Sequence, residues 1–169
     1  MKLKLLCLIV FMTLGYSCFS QKNISVNDIK KINKNGLTYS EYKGVLFSGS
    51  IIDYYENGKP KQWIEVKNGL CNGIFQEWYE NGNLKFDSLW LDGKGHGSWK
   101  YFHKNGKLRQ DDFYDMDIPV GLFFVYHENG ELKSKGGYIK GKKYGYWYTF
   151  SENRILVKTE YFVDGILQP

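Results

Sequence analysis

The residues of this chain with chemical potential are three histidines, a scatter of aspartates, one glycine-rich loop and one cysteine in the body of the sequence. His103 and His127 are 24 residues apart, with His96 just before them. If each 24-residue unit adds two strands, two strand spacings separate that pair by roughly 10 Å. One zinc ion cannot span this, because its nitrogen ligands sit at about 2.0–2.1 Å. Asp87, Asp111, Asp112, Asp115 and Asp117 could offer paired carboxylates, but a glycosidase needs two of them about 5–10 Å apart in a cleft. A flat sheet gives no such cleft. Gly93-Lys94-Gly95-His96-Gly97 has the glycine content of a phosphate loop but lacks the Gly-Lys-Ser/Thr ending that holds phosphate and magnesium. It reads as a turn between units. Cys71, in the turn-like stretch Asn68-Gly69-Leu70-Cys71-Asn72, reads as a surface residue. Cys7 and Cys18 fall in or beside the N-terminal segment, so no internal disulfide is expected. These residues imply no metal, no cofactor and no enzymatic reaction.

The elements that position them follow one period. The stretch Gly73 to His96, GIFQEWYENGNLKFDSLWLDGKGH, returns every 24 residues, opening at Gly49, Gly73, Gly97, Gly121 and Gly145. A turn pair returns in step at Asn57-Gly58, Asn81-Gly82, Asn105-Gly106 and Asn129-Gly130, then departs to Asn153-Arg154. A fixed period of this length marks a repeat array. Within a unit the apolar period is two, and Asn-Gly between two such runs predicts a hairpin with a type I′ turn. The fold predicted is all-β, an elongated antiparallel β-meander of ten or so strands built from 24-residue hairpins. A single layer of that kind extends about 50 Å. The units predicted are 49–72, 73–96, 97–120, 121–144 and 145–169, preceded by a lead-in over 21–48. In that lead-in, 21–36 reads as a short strand or one helical turn, and Tyr39 to Phe47 as the second half of a degenerate unit.

Register at Asn81-Gly82 predicts that Tyr79 faces Leu84, Trp78 faces Lys85 and Gly73 faces Trp90. Alternation then puts Phe75, Tyr79, Leu84 and Trp90 on one apolar face, where each opening glycine lies under an aromatic ring that pins the register. The same columns hold Trp99, His103, Leu108 and Tyr114, then Phe123, His127, Leu132 and Tyr138. On the other face Tyr54, Trp78, Phe102, Tyr126 and Phe150 form a second aromatic column. Across the hairpins it is predicted to meet Lys61, Lys85, Arg109 and Lys133, and the fifth unit breaks the pattern with Val157. An aromatic beside an exposed cation gains about 0.5–1 kcal/mol. That face is the candidate binding surface.

Net charge is +5, falling to +3 once Lys2 and Lys4 are set aside with the leader. This is too mild for a nucleic-acid footprint, which needs basic residues clustered on one face. Residues 1–20 read as a secretory signal, with a charged start followed by about ten apolar residues, too few to span a bilayer. Cys18-Phe19-Ser20 places small residues at the −3 and −1 positions, so cleavage after Ser20 gives a soluble exported protein beginning at Gln21. Lipidation of Cys18 gives a lipoprotein instead, although Gly15-Tyr16-Ser17 matches a lipobox poorly. Cleavage after Ser20 is the preferred reading. The localisation expected is the periplasm, the medium or the cell envelope.

The segments WYENGNLK, YYENGK and YHENGELK, with their Gly-x-x-x-Gly connections, resemble the variant MORN repeat. Lys34-Asn35-Gly36-Leu37-Thr38-Tyr39 followed by Phe47-Ser48-Gly49 is similar to the start of such proteins. The resemblance runs over about residues 34–167 and departs at Asp117, where a glycine is usual, and at Arg154. It implies an elongated sheet that serves as an interaction surface without catalysis. Members include proteins similar to YwqK-like antitoxins of toxin–antitoxin pairs, so a toxin is an implied partner. With an export signal, an exported immunity factor or an envelope protein fits better than a cytosolic antitoxin. Two other readings stand beside a protein partner: a glycan or cell-wall surface stacked on exposed rings, and a membrane surface.

Overall fold

The computed structural model describes residues 23–169. The leader read over residues 1–20 therefore lies outside the described residues, and with it both Cys18 and the cleavage point after Ser20. Hairpins follow one another along the chain. β1 (Asn23–Ser25) enters, and β2 (Ile29–Lys34), β3 (Leu37–Tyr42) and β4 (Val45–Leu46) follow after a 3-10 turn at Val26–Asp28. Five longer hairpins come next: β5 (Gly49–Tyr54) with β6 (Pro60–Lys67), β7 (Leu70–Trp78) with β8 (Leu84–Leu91), and β9 (Lys94–Phe102) with β10 (Leu108–Asp115). β11 (Ile118–Tyr126) pairs with β12 (Leu132–Ile139), β13 (Lys142–Phe150) with β14 (Leu156–Val163), and β15 (Ile166–Leu167) ends the chain. From β5 to β15 each strand pairs antiparallel with the next, and β1 adds to β5 in parallel to complete a twelve-stranded sheet. The predicted meander of hairpins is the observed fold.

The lead-in differs from its prediction. β2, β3 and β4 form a separate three-stranded sheet instead of half a repeat. This end of the molecule is therefore two layers thick. The core there joins Ile24, Phe47, Ile51, Ile64 and Val66, with Val26, Ile29 and Tyr42 packed against them. The physical cause is local: Lys43-Gly44 turns tightly, at φ of 52° and 81°, and gives Tyr42 a partner in Val45. Tyr42 never enters the long sheet.

The type I′ geometry predicted at Asn-Gly lies instead at the connections between units. Successive residues with positive φ, the mark of a type I′ turn, occur between units: Asn68-Gly69 (50°, 82°), Asp92-Gly93 (48°, 81°), Lys140-Gly141 (49°, 81°) and Asp164-Gly165 (52°, 83°). Met116-Asp117 does the same at 49° and 73° without a glycine. Asp117 also accepts from the Gly95 amide at 2.7 Å. The supposed phosphate-like loop is thus only a two-residue turn, with β9 beginning at Lys94. At Asn81-Gly82 only the glycine has positive φ, 94°. The Gly82 amide donates to Tyr79 O and the Tyr79 amide to Asn83 O, both at 2.8 Å. This is the longer hairpin loop whose last residue is left-handed, and it brings a β-bulge with it.

Candidate interaction surface

The bulge decides what each face carries. Gly73↔Trp90 and Glu77↔Phe86 pair as predicted, but the next pair is Trp78↔Leu84, so Lys85 has no opposite number. The same slip gives Tyr54↔Pro60, Phe102↔Leu108, Tyr126↔Leu132 and Phe150↔Leu156. Lys61, Lys85, Arg109, Lys133 and Val157 are all the extra residue of a bulge. The predicted pairing of Trp78 with Lys85, and its equivalents, is therefore corrected: the aromatic column pairs with aliphatic side chains. Leu84, Leu108 and Leu132 change faces with it.

The extra residue instead lies beside its follower and meets what that follower faces. Lys61 Nζ reaches Asp53 at 2.8 Å, where Asp53 pairs with Gln62. Lys85 Nζ reaches Glu77 at 3.1 Å, where Glu77 pairs with Phe86. The Arg109 guanidinium lies 5.2 Å from the centre of the Tyr101 ring, where Tyr101 pairs with Gln110. These three cations therefore stand on the ring-packed face, and Lys85 and Arg109 border a groove of about 390 Å³ lined by Phe75, Glu77, Phe86 and Trp99.

That face holds most of the buried side chains of the sheet, Ile51, Ile64, Val66, Phe86, Ser88, Asp112, Trp147 and Phe162, while Ser50 is buried on the other face. Its rings form a chain of contacts. Trp99 lies 5.4 Å from Phe86, 5.1 Å from Trp90 and 4.6 Å from Tyr114, and Trp147 lies 5.3 Å from Phe123. Rings do cover glycines here, but not the opening ones. Trp99 lies over Gly95 and Trp147 over Gly136, each closer than a Cβ would allow.

On the opposite face the column of Tyr54, Trp78, Phe102, Tyr126 and Phe150 stays at least partly exposed, Tyr54 at 57%. Further rings that alternation had not singled out widen it towards the C-terminal end. Tyr148 lies between Tyr146 and Phe150 at 6.1 and 6.5 Å, and Tyr146 touches Tyr161 at 4.8 Å. Lys135, not Lys133, supplies a cation here, 5.3 Å from the Tyr148 ring. Between the first two long hairpins a groove of about 430 Å³ is lined by Tyr54, Trp63, Ile74, Gln76 and Trp78.

The residues with chemical potential are mostly built into the scaffold. His103 Nε2 lies 3.0 Å from Tyr126 O and His127 Nε2 2.9 Å from Phe150 O. A carbonyl only accepts, so each Nε2 carries the proton. Tyr55 and Tyr79 donate from the equivalent position to Trp78 O and Phe102 O, at 2.6 and 2.8 Å. His96 lies 3.3 Å from Asp115 on the exposed surface. Asp87 accepts from Gln76 at 3.0 Å. Among the described residues no group of three or more His, Cys, Asp or Glu is placed to hold a metal ion. Cys71, read as a surface turn residue, lies half-buried in β7. Burial pushes its thiol up to about 12, an effect that nearby Lys31 opposes and Glu65 adds to. It is a protonated thiol rather than a nucleophile.

The turns themselves form a ladder along one edge of the sheet. Each turn asparagine accepts from the amide two residues on, and its Nδ2 donates to the next unit's turn. Asn57 donates to Glu80 O, Asn81 to Lys104 O, Asn105 to Glu128 O and Asn129 to Glu152 O, at 2.8–3.2 Å. Arg154, in the glycine position at φ 63°, donates from two of its guanidinium nitrogens, Nε and Nη2, to Glu131 one unit back. The last hairpin closes despite the substitution. Comparison with curated proteins finds no match. Residues 72–92, 95–116 and 119–140, which carry most of β7 to β12, each match the family model described as the MORN repeat variant.

Proposed function

We propose that this chain is a binding scaffold without enzymatic activity, and that its aromatic–aliphatic face takes a protein partner. One observation carries the reading. The column of Tyr54, Trp78, Phe102, Tyr126 and Phe150 lies opposite the face that holds most of the sheet's buried side chains, where an antiparallel sheet ordinarily turns polar residues to water. Large aromatic rings left partly open to solvent are what interface hot spots are made of. The partner fits a toxin-like protein, with the chain acting as an exported immunity factor in the cell envelope. Export belongs to the proposal as well. Intact mass from the native host is expected to show cleavage after Ser20, with the chain beginning at Gln21. A diacyl or triacyl mass on Cys18 would place it on a membrane instead.

The test pairs capture with stability. Crosslinked capture from the native envelope identifies the partner, and the purified pair is then titrated. Trp78→Ser with Phe102→Ser should weaken that pair by at least about thirtyfold, since one hot-spot ring is worth about 2 kcal/mol. The far-UV spectrum and melting temperature should hold. Trp99→Ser should instead melt early, because loss of a packed tryptophan costs about 3–5 kcal/mol. If both variants melt alike, the column is core and the proposal fails.

A glycan partner is the second reading, favoured by the groove in which Trp63 and Trp78 flank Gln76. Saturable binding of a cell-wall oligosaccharide that is lost in Trp78→Ser would select it.

A further inference from the structure

The repeat contains its own controls at the column Ile64, Ser88, Asp112, Gly136 and Glu160, which are spaced 24 residues apart on the ring-packed face. Ser88 solves its site with a hydroxyl, donating to Phe75 O at 3.2 Å and accepting from Trp90 Nε1 at 2.8 Å. Gly136 solves its site with no side chain, under the Trp147 ring. Nothing in the repeat requires a carboxylate there.

Asp112 is nevertheless 3% exposed. One oxygen, Oδ2, accepts from Gln110 Nε2 at 2.6 Å. The other, Oδ1, is buried without a hydrogen-bond partner. Leaving a charged oxygen so placed is costly, and such groups are ordinarily paired. Asp112 pairs with Trp99 on one side. On the other it sits at a gap in the ladder, between Asp111↔Phe124 and Phe113↔Val120. The gap holds a cavity of about 60 Å³ lined by Asp112, Tyr114, Phe123 and Tyr138, with Phe113 and Leu122, 51% and 66% exposed, at its edge. No Lys or Arg lines it. Drug-sized ligands occupy about 300–1,000 Å³, so this cavity has room for a head group only. The faces of aromatic rings are negative and attract cations. The unpaired carboxylate oxygen thus has no cation of the protein beside it, and the three rings offer apolar and π contact to one that enters.

We propose that this cavity binds an alkylammonium head group, with Asp112 Oδ1 accepting its N–H and the rings of Tyr114, Phe123 and Tyr138 around its first methylenes. The same head group is carried by a lysine side chain of another protein and by a free aliphatic amine. Burial pushes the Asp112 carboxyl up to about 6, an effect that Asp111 adds to and the Gln110 hydrogen bond opposes. The phenols of Tyr101, Tyr114 and Tyr138 around it are held above their ordinary range, mainly by burial. Asp112 is therefore the group whose charge changes near pH 6, and binding weakens as pH falls through that value.

The experiment titrates the full exported chain with n-butylammonium and, as a neutral match, n-butanol, following amide and indole resonances by NMR. Saturable butylammonium binding at pH 8 is expected, at least tenfold tighter than at pH 5 and absent for butanol. Asp112→Ser installs the residue that serves at Ser88. It should fold and lose binding at least tenfold, and Asp112→Asn repeats the test if the serine variant does not fold. A capped lysine peptide binding at least tenfold more tightly than butylammonium assigns the site to a partner's lysine; equal affinity assigns it to a free amine. Absence of saturation in the wild type, or unchanged affinity in both variants, overturns the proposal.

Discussion

Gly82 and Arg154 hold the same turn position in different units, at φ 94° and 63°. Valine at Gly82 would force a β-branched side chain into that conformation, costing about 1–3 kcal/mol. Arg154→Gly removes a left-handed side chain and the exposed contacts to Glu131 together, and these oppose each other. Thermal melts should show a clear loss for Gly82→Val and a much smaller change for Arg154→Gly. Asp112 makes a different prediction at this scale. Its folded pKa, about 6, lies above the ordinary carboxylate value. The folded state therefore binds more protons than the unfolded one between the two values. Stability from this group is full below the ordinary value and is lost as pH rises towards 6. Asp112→Asn should be more stable than wild type at pH 8 and no more stable at pH 3.5. Denaturant melts of both proteins at the two pH values check the sign, and a gap that widens in acid would refute it.

At the scale of the element, each hairpin is tied to the next through its turn. Asn105 accepts from the Lys107 amide at 3.0 Å and donates to Glu128 O at 2.8 Å. Asn153 occupies the equivalent position between β13 and β14, and among the described residues no further turn of this kind lies beside it to accept its side chain. Asn105→Ala should cost about 1–2 kcal/mol, the worth of its two hydrogen bonds, and Asn153→Ala clearly less. Equal losses in urea unfolding would mean that the ladder between turns contributes nothing. Gly136→Ala tests the packing between hairpins. A Cβ there would lie 2.2 Å from the Trp147 ring, which is itself 5% exposed. Overpacking of that kind costs about 1–3 kcal/mol, so β12 and β13 should separate at lower denaturant.

For the whole molecule, a sheet in which each hairpin touches mainly its neighbours has stability that is roughly a sum of units and interfaces. The ends are unequal. The N-terminal hairpins share a core with the second sheet, through Ile51, Ile64 and Val66. At the other end Leu156, Val157 and Ile166 are 51%, 66% and 67% exposed. Amide exchange should therefore show protection falling from β6 and β7 towards β14. Uniform protection along the sheet would mean that the array unfolds as a single unit.

Much of this architecture is legible in the sequence, because it depends on interactions close in the chain. The 24-residue period, the alternation within strands, the hairpins at Asn-Gly and the pairing of Gly73 with Trp90 all follow from turn chemistry and period-two side chains. What the sequence left undecided lies where one residue is added to a strand. A bulge shifts alternation by one, and a one-residue shift moves a side chain to the other face. That is why Lys85 stands with Glu77 and Arg109 with Tyr101, while Trp78 meets Leu84. The second sheet over the first hairpins is equally invisible to a local pattern, since it forms by packing between distant segments. The burial of Asp112 belongs to the same class. An aspartate beside another aspartate reads as solvated surface, and only the rings that its own strand and three others bring around it exclude the water.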